Sequence, residues 1–216
     1  CTKLPEITLP EGIKTIGDAA FQGVSAIKSI NIPASVESIG ENAFSTCAEL
    51  TEVNFASDSE SNLKTIGKKA FYQCIRLVSL DIPEGVTTIG DQAFRTSAGL
   101  KYVYLPSTLT EFGTSAPAVF ADTSSASYSG TDELLSITVE DGNPVYSSKN
   151  GLLYTANGEA LLYCPSGITG TVTVADGTKT IGKSAFQRSK ADHVVLPYSL
   201  TAIESRAFVS GGFTSI

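Results

Sequence analysis

The sequence holds one histidine, His193, in the run Ala-Asp-His-Val-Val-Leu-Pro. Imidazole is the side chain most suited to proton transfer near neutral pH. A general base works only beside a nucleophile or acid held within hydrogen-bond reach, and the spacing names no such partner. Gly-x-Ser-x-Gly, Gly-x-x-x-x-Gly-Lys-Ser and His-Glu-x-x-His are all absent. His193 is therefore read as a solvated residue on a strand face, and the chain as no enzyme. Asp58, Glu60 and Asn62 alternate in one polar loop, as calcium ligands do. The glycine at the sixth position and the distal bidentate Glu of such a loop are missing, so a solvated inserted loop is expected. No cofactor is implied.

Four cysteines stand at positions 1, 47, 74 and 164, without the Cys-x-x-Cys spacing of a zinc site. Cys47 and Cys74 fall at the same place in consecutive copies of a repeat described below. Buried free thiols and an inter-turn disulfide both fit that placement. Cys1 fits the tail of a repeat, with a lipid-anchor cysteine as the alternative.

The composition is globular, 42% hydrophobic and 17% charged, and the formal net charge is -7. That sign excludes the basic footprint that nucleic acid requires and a polybasic contact with a membrane. No run of apolar residues is long enough for a transmembrane segment.

What remains is a repeat. Ile32-Pro33, Val36, Ile39-Gly40, Ala43-Phe44, Cys47, Leu50 and Val53 recur as Ile82-Pro83, Val86, Ile89-Gly90, Ala93-Phe94, Ser97, Leu100 and Val103. The frame is also found from Leu9-Pro10, from Leu63, from Leu105-Pro106, from Ile181-Gly182 and from Leu196-Pro197. Equivalent phenylalanines are 23 residues apart at Phe21 and Phe44 and at Phe71 and Phe94, and 22 apart at Phe186 and Phe208. A 22–23-residue period is that of leucine-rich repeats and too short for ankyrin or TPR units. Residues 1–216 are read as one right-handed solenoid of about eight turns. The frame starts and stops in mid-repeat, as expected for part of a longer array.

Each turn has a physical reading. In Leu100, Val103 and Leu105 the apolar period of two marks a short strand, which proline ends. The Ile-Gly pair turns the chain, glycine supplying a conformation that other residues adopt at a cost. The Ala-Phe-x-x-Cys segment has helical spacing and predicts one short helix or 3₁₀ turn per repeat. Strands in register form a short parallel sheet, and stacked turns bury a continuous core that no single turn could. Eight rungs ~4.8 Å apart make a body roughly 40 Å long.

Residues 139–170 break the frame. Asn150-Gly151 and Asn157-Gly158 are hairpin signals between the apolar runs Val145-Tyr146, Leu152–Tyr154 and Leu161–Tyr163. They predict an inserted antiparallel β-meander, projecting from or covering the solenoid. The Ser/Thr-rich stretch Asp122 to Asp132 reads as a loop.

The frame Ile-Pro-x-x-Val-x-x-Ile-Gly-x-x-Ala-Phe-x-x-Cys-x-x-Leu-x-x-Val, matched best from Ile32 to Val53, resembles the BspA-like leucine-rich repeats of bacterial surface proteins. The insert with Asn143-Pro144-Val145-Tyr146 and Leu161-Leu162-Tyr163-Cys164-Pro165 also looks like an element of that family. Nearly the whole chain is covered. The fifth repeat departs from the pattern, with Phe112-Gly113 and Val119-Phe120, and the eighth places Glu204 at the glycine position. The resemblance implies an extracellular or cell-surface protein that binds host matrix or cell-surface proteins, with no catalytic residues to carry over. A structural spacer holding another domain away from the cell is the alternative.

Such binding would use the outward positions of the strands. One outward position holds Glu6, Ser29, Glu52, Ser79, Tyr102, Ser136 and His193; the other holds Thr8, Asn31, Asn54, Asp81, Tyr104, Thr138 and Val195. Tyr102 and Tyr104 stand out, because tyrosine gives contact area with a polar tip and is enriched at interfaces. Ordinary cross-strand packing accounts for them equally. The candidate face is Asn31, Glu52, Asn54, Ser79, Asp81, Tyr102, Tyr104 and Thr138.

Overall fold

A computed structural model describes residues 7–58, 60–121 and 133–216. Cys1 and the stretch Asp122 to Asp132 lie outside the described residues, as does Glu6.

The chain winds as a β-solenoid of about eight turns, each adding one rung to stacked parallel sheets. The two-residue strands of the Ile-Gly segments, Thr15–Ile16, Ser38–Ile39, Thr65–Ile66, Thr88–Ile89 and Glu111–Phe112, pair in that order in one sheet. The longer strands form the outward face: Ser29–Ile32 pairs with Glu52–Phe55, and Ser79–Asp81, Tyr102–Leu105 and Ser136–Val139 form a second run. All of these pairings are parallel. Alternation along the strands sends Ile30, Val53, Leu80, Val103 and Ile137 into the core and leaves their neighbours outside.

Two physical readings of the repeat are corrected. Among the described residues the Ala-Phe-x-x-Cys segment is helical only in the fifth repeat, at Ala116–Phe120. Elsewhere two residues four apart take the left-handed conformation, such as Asn42 (φ 57°) and Thr46 (φ 61°), which an α-helix does not admit. Alternate amides then divide their work. Ala43, Ser45 and Cys47 donate to carbonyls three residues back, and Asn42, Phe44 and Thr46 donate to Lys68, Ala70 and Tyr72 of the next turn at 3.0, 2.8 and 2.7 Å. The spacing is thus that of tight turns stacked as a ladder, which mimics the helical period.

Glycine in the Ile-Gly pairs serves close approach. Gly40, Gly67 and Gly90 have no left-handed φ. A Cβ on Gly67 would stand 2.7 Å from the carbonyl carbon of Gly40, and one on Gly90 2.5 Å from the amide of Lys68. The turns stack too tightly there for any side chain.

The core is a column of aromatic rings. Phe21, Phe44, Phe71, Phe94 and Phe120 succeed one another with centroids 5.2, 5.3, 6.2 and 5.9 Å apart. Tyr163 stacks on Phe120 at 5.3 Å and fills the place of the missing phenylalanine, and Phe186 and Phe208 stack at 4.9 Å.

The predicted meander exists, as Tyr146–Lys149, Leu152–Thr155 and Ala160–Tyr163 in antiparallel order. Both residues of the Asn150-Gly151 turn have positive φ, 54° and 79°, as a type I′ turn requires. The meander does not project. Its last strand pairs in parallel with Thr180–Ile181 of the following repeat. Leu153 and Tyr163 pack into the core of the first five turns, whereas Leu152, Tyr154 and Leu161 belong to the core of the last ones. Leucines on both sides of one strand need apolar surroundings on both, and only a position between two cores supplies them. Asn143 fastens the insert: buried, its Nδ2 donates to the carbonyls of Pro106 and Leu109, and its Oδ1 accepts from the amides of Val145 and Tyr146.

Candidate functional site

The parallel register brings the candidate residues into two rows. One row pairs Ser29 with Glu52, and Tyr102 with Ser79 on one side and Ser136 on the other. The second pairs Asn31 with Asn54, and Tyr104 with Asp81 and Thr138. Asn54 donates its side-chain amide to Asn31 Oδ1 at 3.0 Å, a ladder bond between rungs. The tyrosines are 41% and 45% exposed. Their directly opposed cross-strand neighbours are small or polar. The face also exposes Val78 and Leu135, one residue ahead of their strands. Sequence reasoning passed over both, although that slot is polar in the sister repeats, where it holds Lys28, Thr51 and Lys101.

Below the strand ends runs a chain of concavities. One, of about 560 Å³, is lined by Asp58, Asp81, Glu84, Tyr104, Glu140 and Asp141 among others. These carboxylates went unnoticed as a group because they come from different repeats, at or just past the strand ends.

The other chemistry-bearing residues are dispersed or tied down. His193 is exposed on the strand Ala191–Val195, its Nδ1 2.8 Å from Ser215 Oγ and 3.2 Å from Thr214 Oγ1. These hydroxyls, 22 and 21 residues away, are the partners that sequence spacing did not name. Among the described residues no carboxylate bonds to the ring. Asp58, Glu60 and Asn62 do not converge: they bond separately to the Glu84 amide, to Ser57 Oγ and to the Ala34 carbonyl. Among the described residues no group of three or more His, Cys, Asp or Glu could hold a metal ion, and no helix is long and apolar enough to cross a membrane.

Cys47, Cys74 and Cys164 are free and buried. Burial pushes the Cys47 thiol up to about 11 and that of Cys164 up to about 12. Burial likewise raises Cys74. Thiolate is the reactive form, so burial keeps these thiols in the unreactive, protonated form near neutral pH.

Solenoid turns, a strand face and stacked aromatics define a leucine-rich repeat protein. The chain belongs to the BspA type leucine-rich repeat family: six copies of the family repeat match residues 1–140 and 159–216. Its fold is similar to that of a leucine-rich repeat protein from Eubacterium ventriosum, with a TM-score of 0.73 and 21% identity over 95% of this chain and 51% of that one. It is also similar to the pneumococcal vaccine antigen PcpA, with a TM-score of 0.63 and 21% identity over 96% of this chain and 57% of the other. A Treponema pallidum leucine-rich repeat protein gives 0.51 and 20%, over 91% and 70%. The chain thus spans about half the length of the first two structures. No curated protein matches it by sequence.

Proposed function

We propose that this chain is a non-enzymatic adhesive module of a bacterial cell-surface or secreted protein, and that it binds a host matrix or cell-surface protein through the strand face around Tyr102 and Tyr104. One observation carries the reading: two tyrosines stand partly exposed on consecutive outward positions of one strand paired on both sides, between small or polar cross-strand neighbours. A rigid aromatic pair of this kind loses little entropy on binding and gives contact area with a hydrogen-bonding tip. Membership of a bacterial surface-protein family and likeness to a pneumococcal antigen support the location.

The test is biolayer binding of the chain, and of a Tyr102→Ala/Tyr104→Ala variant, to a panel of host matrix and plasma glycoproteins. Saturable binding that weakens at least tenfold in the variant supports the reading. An absence of binding to any of them favours the spacer, for which the aromatic column and inter-turn hydrogen bonds would supply stiffness.

A further inference from the structure

We infer that the groove beside the strand ends docks a lysine- or arginine-rich extended segment of the partner protein. The inference rests on the strand-face reading above and names the chemistry of what that face takes.

Three concavities form the groove. The first, about 440 Å³, runs from Thr8 and Glu11 to Asn54 and Glu60. The second, about 380 Å³, shares Asn54 with it and continues to Asp58 and Asp81. The third, about 560 Å³, shares Asp58 and Asp81 and ends at Glu140 and Asp141. Together they follow the sheet across six rungs, ~24 Å at the usual strand spacing, which an extended peptide of about seven residues spans. Tyr104 forms part of the wall, so the groove and the exposed aromatic face are one surface.

The groove carries one sign of charge. Seven carboxylates line it, and no Lys, Arg or His does. The contrast with the rest of the surface is sharp. Lys14 with Glu37, Lys68 with Glu41, Arg76 with Glu49, Lys101 with Glu133 and Lys179 with Glu159 form ion pairs, each from one turn to another, and none lies in the groove. Glu84 and Asp58 are held by Ser107 and by the Glu84 amide. The side chains of Asp81, Glu140 and Asp141 are exposed and have no hydrogen-bond or ionic partner among the described residues. A concave, one-signed wall with low-dielectric sides concentrates counter-charge. Spaced over several rungs, the acids match the charge of a basic strand, and Tyr104 offers a ring face to a guanidinium or ammonium group.

The probe is fluorescein-labelled heptalysine, followed by anisotropy at low and physiological salt, against a neutral Gly/Ser heptapeptide. The groove variant is Asp81→Asn/Glu140→Gln/Asp141→Asn. The control, Glu37→Gln/Glu41→Gln/Glu159→Gln, makes the same change in net charge on ion-paired residues elsewhere. All the altered side chains are solvent-accessible, and matched thermal melts verify folding. The inference expects saturable heptalysine binding, weakened about tenfold by the groove variant and less than twofold by the control. Equal weakening in both variants means diffuse attraction to an acidic protein and overturns it. So does calcium binding lost in the groove variant without heptalysine binding, which assigns the acids to a metal. A glycoprotein bound through Tyr102 and Tyr104 but indifferent to the groove variant also overturns it, leaving the strand-face reading intact. Groove-specific heptalysine binding with no glycoprotein bound upholds the groove and sinks that reading.

Discussion

Ser97 donates its hydroxyl to the carbonyl of Phe71 at 2.7 Å, in the place where the thiol of Cys74 donates to Phe44 and that of Cys47 to Phe21, both at 3.2 Å. One slot of the repeat therefore demands a small side chain with a hydrogen to give. It gives the buried carbonyl of the core phenylalanine in the preceding turn a second donor, beside the backbone amide three residues on.

Cys74→Ser should accordingly be tolerated, whereas Cys74→Val should lose about 0.5–1.5 kcal/mol more than the serine variant although valine is the more apolar residue, because it removes the side-chain hydrogen bond to Phe44 and leaves that carbonyl only the Cys47 amide. Urea denaturation of the two variants measures the difference. Equal losses would show that apolar packing alone fills the slot.

The thiols also set an alkaline limit. A free thiol ionises near 9, but burial holds Cys47 protonated to about 11 and Cys164 to about 12. The folded-state values are raised, so their contribution to stability is complete below pH 9 and is lost as pH climbs from 9 towards 12. Denaturation at pH 8 and pH 10 should show a drop that is smaller in a Cys47→Ser/Cys74→Ser/Cys164→Ser variant. An identical drop would remove the thiols from the account.

Two glycines in equivalent positions should respond in opposite ways. Gly67→Ala drives a methyl into the backbone of Gly40 and should cost about 1–3 kcal/mol. At Gly17 a Cβ meets nothing within 4 Å and φ is not left-handed, so Gly17→Ala should stay within about 1 kcal/mol of the parent. Melting temperatures of the two variants decide whether close stacking or turn conformation selects glycine.

Asn143 predicts a larger effect from a polar residue. Asn143→Ala breaks four hydrogen bonds in a buried site and should cost about 2–4 kcal/mol, whereas Asn54→Ala, which breaks one exposed bond, should cost under about 1 kcal/mol. Comparable values would mean that the insert is not fastened through Asn143.

The solenoid was legible because its information is repeated. The Ile-Gly and Ala-Phe pairs recur at nearly constant spacing, and strand alternation fixes which residues face out. What sequence spacing misread is what depends on contacts between turns. Ala-Phe-x-x-Cys looks helical because its apolar residues sit three and four apart, yet every second amide bonds to the next turn. Tyr163 was hidden inside the insert, and only stacking on Phe120 shows that it takes the phenylalanine place. The tyrosines were visible as exposed strand residues, because they break a row of small or acidic ones. The groove was not, since Asp58, Asp81 and Glu140 come together only when the turns are stacked.

The most direct test of the strand face as the binding surface compares the two sides of the rod on one glycoprotein panel. Tyr102→Ala/Tyr104→Ala changes the strand face, and Tyr72→Ala removes a ring from the turn face, where Lys69 and Arg95 approach it. The account predicts at least tenfold weaker binding for the first and an unchanged affinity for the second. Loss in Tyr72→Ala with the strand-face variant unaffected would place the binding surface on the turn face and contradict it.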